Sequence, residues 1–194
     1  MESSAKCGIC LKRSSVRYLD YLGKHACIHC LYKIFRKRVR RLISDFKLID
    51  GEKRIGIIFD RSPTSFISIH FLREIYPEIE FSVIPKHTLG KIPQKVEKIV
   101  DPKCLEDFGE FFMERLLNGK FQFLEVREGM VIRPFIGVPE EEIRILLRKR
   151  YKCRGKWREV ERKYSKFLRE VQKVRAGSLF SLLKLYRKLK LIKA

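Results

Sequence analysis

The sequence predicts an α/β fold built on a parallel sheet, with a four-cysteine module in front of it and basic helices behind, and three observations carry that prediction. Apolar, β-branched runs alternate with segments of helical spacing, as strand–helix–strand crossovers require. Two C-x-x-C pairs precede the first of these runs. Charge is unevenly divided: residues 1–50 hold 12 Lys/Arg against 4 Asp/Glu, residues 51–138 hold 13 against 13, and residues 139–194 hold 19 against 6. The net charge of +21 therefore sits on the two flanks of a neutral middle.

At 194 residues and 45% hydrophobic content the chain is long enough to bury a core. It has no run of 18 apolar residues and its start, MESSAKCGIC, lacks a signal-peptide profile, so a soluble cytoplasmic protein is expected. Self-repulsion at this net charge destabilises a compact chain unless a polyanion offsets it, which points to RNA or DNA as partner. A membrane surface fits less well, because the basic segments also carry aromatic core faces and no lipidation motif is visible. One Asn and three Gln beside many Lys, Arg, Glu and Ile lean towards a thermophile composition.

The motifs divide the chain into a metal module over 1–31, a basic linking helix over 32–50, an α/β core over 51–152 and a basic helical region over 153–194. Cys7 and Cys10 are separated by sixteen residues from Cys27 and Cys30, a spacing that lets four thiolates surround one Zn²⁺. Four protein ligands leave no open position, so such a zinc is structural. The alternative is four reduced or disulfide-paired cysteines. From Leu31 to Phe46 the spacing is helical, with Leu31, Ile34, Phe35, Val39, Leu42, Ile43 and Phe46 on one face. Lys33, Arg36, Lys37, Arg40 and Arg41 lie mostly on the other, either as a solvated surface or as a phosphate-contacting one.

After the Asp50-Gly51 turn, Ile55–Phe59 reads as a buried strand, and Ser62-Pro63 as a helix start with serine at the N-cap and proline at the first position. Such a helix start offers unpaired N–H groups to an anion, with Ser62, Thr64 and Ser65 as the binding candidates. His70 on this helix reads as a packed histidine. Glu80–Ile84 and Val96–Val100 are further strands, and Leu105–Asn118 is a helix ended by Gly119. Phe121–Val126 is a strand or a continuation of that helix, and Val131–Phe135 is a strand. Three acids, Glu140 to Glu142, open a helix that closes on Arg148 to Arg150. Trp157–Val174 is amphipathic, with Arg158, Arg162, Lys163, Lys166 and Arg169 predicted outward as a second nucleic-acid face, or as a heat-adapted surface without a ligand. Leu179–Lys193 is the last helix.

This order of features resembles the PP-loop (N-type ATP pyrophosphatase) enzymes of tRNA 2-thiouridine synthesis. Three stretches carry the resemblance: RKRVRRLISDFKLIDGEKRIGI from Arg36 to Ile57, VIRPFIGVPEEEI from Val131 to Ile143, and VRAGSLFSLLKLYRKL towards the end. It implies a Rossmann-like parallel sheet of the PP-loop/HUP type with an N-terminal zinc ribbon. Where the family has Ser-Gly-Gly-Lys-Asp-Ser, this chain has Asp60-Arg61-Ser62-Pro63-Thr64-Ser65. Loss of both glycines limits the approach of backbone N–H groups to pyrophosphate, and Asp60 repels it. The family's Leu-Asp-Asp-Glu-Ala helix start is matched by Leu105-Glu106-Asp107-Phe108-Gly109. Arg61, Ser65, Glu106 and Asp107 are thus vestiges of the nucleotide and metal site, and no ATP/Mg²⁺ is expected. Cys104 and Cys153 are too few for a three-cysteine iron–sulfur cluster and are expected to be inert. The resemblance implies a zinc protein that binds tRNA or another structured RNA, non-catalytic, alone or paired with an intact thiolation enzyme or a second copy. An active ATP-dependent sulfurtransferase or adenylating enzyme, and a ribosome- or protein-interaction subunit, are the alternatives.

Overall fold

A computed structural model describes residues 5–88, 95–153 and 156–191. A two-stranded antiparallel ribbon, β1 (Arg17–Leu19) and β2 (Lys24–Ala26), is followed by the long helix α1 (Ile28–Asp45). The sheet comprises β3 (Arg54–Phe59), β4 (Glu80–Pro85), β5 (Lys98–Val100), β6 (Arg127–Glu128) and β7 (Val131–Ile132). Its order is β4-β3-β5-β7-β6, with β3 parallel to β4 and β5, β5 parallel to β7, and only β6 antiparallel. Helices α2 (Pro63–Ile75), α3 (Leu105–Leu117), α4 (Glu140–Lys149), α5 (Ser165–Val174) and α6 (Ser178–Leu191) complete the chain.

Local chemistry accounts for the framework. Ser62 caps α2 by accepting the Ser65 N–H at 3.1 Å, with Pro63 at the first position. Within β3, Ile55 and Ile57 are fully buried, and a Cβ on Gly56 would collide with the Ile84 side chain, so glycine lets β4 lie close. From β3 the chain crosses to β4 on one side, and from β5 to β7 on the other. Right-handed crossovers in opposite directions put α2 and α3 on opposite faces. Helix α2 packs with α1 and α4, where Phe35, Phe71 and Phe135 stack in one aromatic cluster. Helix α3 packs with α5 and α6.

Four expectations change. Helix α1 begins at Ile28, inside the second cysteine pair, so the boundary at residue 31 cuts through a continuous helix. Phe121–Val126 is neither strand nor helix: Gly119 turns at φ +71°, and Phe123 and Val126 bury themselves against Tyr186, whose hydroxyl accepts the Val126 N–H. The strand from Val131 ends at Ile132. The helix placed over Trp157–Val174 starts only at Ser165, because residues 156–164 are held by contacts to the core.

Candidate functional site

The four-cysteine centre is built by short-range geometry. Cys7 and Cys10 lie on a turn whose Gly8 N–H donates to the His25 carbonyl at 2.9 Å, while Cys27 is the N-cap of α1 and Cys30 sits in its first turn. All four sulfurs lie within 4.8 Å of one another, with Cys10 and Cys27 at 3.8 Å. A tetrahedron with metal–sulfur bonds of about 2.3 Å has edges of about 3.8 Å, so the donors fit a single four-coordinate ion. Burial pushes the Cys7 thiol up, but the N–H groups of Cys10, Cys27 and Ile9 outweigh it and bring it down to about 6. Desolvation and the neighbouring Cys27, Cys10 and Cys7 sulfurs push Cys30 up to about 12. The four cysteines can hold a metal ion, as their spacing predicted.

This module is locked onto the core by charged groups. Arg38 of α1 donates to Glu142 at 2.9 Å and lies over the rings of Tyr21 and Phe180, at 4.5 and 4.6 Å. The Tyr21 hydroxyl also donates to Glu142, at 2.8 Å, and Arg17 pairs with Glu141. Nearby, Glu74 accepts from Tyr32, Tyr151 and Arg150 at 2.6, 2.7 and 2.8 Å, which joins α1, α2 and the end of α4.

In a sheet of this order the ligand crevice lies beyond the carboxyl ends of β3 and β5, where the crossovers diverge. Among the described residues, several groups at this end of the sheet are engaged by the chain itself. Ser62, Thr64 and Ser65 are 3%, 2% and 0% exposed, and the Ser65 hydroxyl donates to the Ser62 carbonyl at 2.8 Å. The Ser62 and Ser65 side chains are thus turned to their own helix start, and Thr64 is buried beside them. Arg61, exposed at φ +64°, accepts the Arg158 N–H on its carbonyl at 2.9 Å. Arg162 runs into the gap beside α3, donating to Asp107 at 2.9 Å and meeting Glu140 at 2.6 Å and the Cys104 sulfur at 3.2 Å. Its outward placement is therefore corrected: only 11% of its side chain is exposed.

The two acids expected as vestiges are also engaged. Glu106 accepts the Glu140 N–H at 2.9 Å, and burial raises its pKa. Asp107 accepts the Cys104 N–H at 2.8 Å; burial raises its pKa, but Arg162 outweighs that and leaves it lowered. Burial pushes the Cys104 thiol well up, so it stays protonated. The other outlying cysteine, Cys153, lies 3.3 Å from the Nε2 of His70. His70 is exposed and stacked on Tyr151 rather than packed inside, as it had read on a largely apolar helix.

The remaining predicted bases are at the surface. Lys33, Arg36, Lys37, Arg40 and Arg41 are exposed along α1, as are Arg158, Lys163, Lys166 and Arg169. Among the described residues the first four of these form no ion pair, and Arg41 reaches Asp45 only at 3.9 Å. The Glu74 and Glu142 clusters and the Arg162 contacts were not anticipated. Their partners stand 22 to 121 positions apart, beyond any local spacing signal. Glu140–Arg144, an i,i+4 pair at 2.6 Å, has by contrast a spacing that is readable in the sequence. No helix among the described residues is long and apolar enough to cross a membrane.

No family model and no curated protein matches the chain. Among solved structures it is similar to the U34-tRNA thiolase NcsA from Methanococcus maripaludis with its 4Fe-4S cluster, at a TM-score of 0.70 and 16% sequence identity, over 97% of this chain and 88% of that one. At this identity the likeness is one of fold, and it agrees with the mixed α/β architecture and its mostly parallel sheet.

Proposed function

We propose that the chain is a zinc-holding, non-catalytic relative of tRNA thiolation enzymes that binds tRNA or another structured RNA. The observation that carries this reading is the division of charge across α1. Its acidic neighbours are consumed inward: Glu142 by Arg38, Asp45 by Arg187 and Glu74 by Arg150. Lys33, Arg36, Lys37 and Arg40 are left outward without an acid among the described residues, which suits a phosphate backbone. Arg13, Lys33 and Arg150 all surround His29 closely enough to help lower its pKa, after desolvation, so the positive field runs from the cysteine module to the end of α4. The tRNA thiolase fold supports tRNA over other polyanions. Engagement of groups at the crevice end of the sheet by Arg158 and Arg162 supports the loss of catalysis. A single Zn²⁺ is favoured at the cysteines because the sulfurs sit at mononuclear spacing, whereas a cubane spreads its ligands over four corners. An intact thiolation enzyme or a second copy of the chain would supply the chemistry.

The test is tRNA affinity as a function of salt. Each phosphate neutralised contributes a slope of about −0.7 to −0.9 in log affinity against log salt. Replacing Lys33, Arg36, Lys37 and Arg40 with glutamine is expected to flatten that slope by about 3 and weaken binding severalfold at low salt. Unchanged affinity in this variant overturns the reading, and heat from millimolar ATP with Mg²⁺ in calorimetry overturns its non-catalytic part.

A further inference from the structure

The cysteine module carries a surface that neither the metal nor the docking contacts use. Strand alternation turns Leu19 inward, 2% exposed, and so turns its neighbour Tyr18 outward, 44% exposed. Tyr18 stands in register opposite His25, and their rings meet edge to face at 5.0 Å. The histidine is itself fixed, with Ser15 Oγ 3.3 Å from its Nδ1 and its carbonyl accepting the Gly8 N–H. A rigid aromatic pair is thus held open to solvent. Ile9, Leu11, Val16 and Leu22 are exposed in the same small module, Leu11 to 73%.

The charge around it selects the partner. Lys6, Lys12, Arg13 and Lys24 are exposed and form no ion pair among the described residues, and Asp20 is the module's one acid there. Apolar rings with an almost purely basic rim fit a ligand that joins flat π-faces to negative charge. That is an RNA segment whose bases are not paired. A duplex keeps its bases stacked inside and would meet only the rim.

We infer that the outer face of the β1–β2 ribbon, centred on Tyr18 and His25, is a stacking platform for unpaired nucleotides, so that the RNA bound is one presenting a loop or free end beside a helix. This rests on the proposed RNA-binding role of α1 and narrows the class of RNA.

The experiment compares two probes, an RNA hairpin with 2-aminopurine in its loop and a blunt duplex with the same number of phosphates. The wild-type chain is expected to bind the hairpin more tightly and to change the 2-aminopurine fluorescence. Tyr18→Ala is expected to lose about tenfold on the hairpin and nothing on the duplex. Tyr18→Trp should keep hairpin binding, and Tyr18→Leu, with its bulk but no ring, should behave like Tyr18→Ala. Metal content equal to wild type in each variant shows that the module is intact. Equal losses on both probes, no loss on either, or full rescue by Tyr18→Leu overturns the platform while leaving the α1 reading standing. If the wild-type chain binds neither probe, both fall, whereas the glutamine variant of α1 weakens both probes if that reading is right.

Discussion

Arg162 shows how one side chain decides what a site is for. Its guanidinium pairs with Asp107 and Glu140 in a nearly dry setting, so truncating it leaves Asp107 buried without its cation and Glu140 with Arg144 alone. Arg162→Met is expected to destabilise the fold by about 3–5 kcal/mol at pH 7, measured by urea unfolding. The pH dependence follows from two opposed shifts. Asp107 has a lowered pKa in the fold, so its contribution is present above the ordinary aspartate range and is lost as pH falls through the lowered value. Glu106 has a raised one, so its contribution is full below the ordinary glutamate range and disappears as pH rises through the raised value. Glu106→Gln retains an acceptor for the Glu140 N–H and is expected to raise stability at pH 7 and leave it unchanged well below the glutamate range. The destabilisation by Arg162→Met should shrink as acid protonates Asp107. The sequence marked Glu106 and Asp107 as acids of a nucleotide site. That a downstream arginine holds Asp107 was not legible, since pairing across 55 positions leaves no periodic trace.

Among the elements, α1 joins metal and charge. Cys27 caps it and Cys30 lies three residues on, so half of the four-cysteine group sits at the start of the helix that carries Lys33 to Arg41. One zinc per chain is expected by mass spectrometry. Chelation should abolish amide-exchange protection over residues 5–30 and preserve it in β3 and β5, whose core does not depend on the metal. Protection lost throughout would show instead that the module and sheet fold as one unit. In β3, Gly56→Ala forces a Cβ into Ile84 and is expected to cost about 1–3 kcal/mol in a urea titration. The elements most legible in the sequence, α1, α2, α3 and β3, have strong periodicity or unambiguous caps. The misread ones obey distant partners: Phe121–Val126 follows Tyr186, and the approach to α5 follows Arg61, Arg144 and Asp107.

For the molecule as a whole, the neutral middle and basic flanks seen in composition become a physical arrangement. The middle is the sheet with α2 and α3, and the flanks wrap it: the cysteine module and α1 on one side, α5 and α6 on the other. They meet where Asp45 pairs with Arg187 and where Phe46 stacks on Tyr186 at 5.9 Å. The parallel sheet was legible because alternating strand and helix patterns admit few other layouts. The tetrahedral cysteine set was legible because its spacing is local. The contacts of Arg158 and Arg162 at the crevice were not, since they depend on where a segment without regular structure comes to rest.

That segment, residues 156–164, is tethered through its neighbours to α4 and α5. Arg162 therefore meets Asp107 and Glu140 at an effective concentration set by the tether, in the millimolar range or above for short connections. Any group arriving from solution to pair with Asp107 or Glu140 meets a cation that never diffuses away. The contacts of Arg162 are thus made by a group that the chain itself keeps at hand.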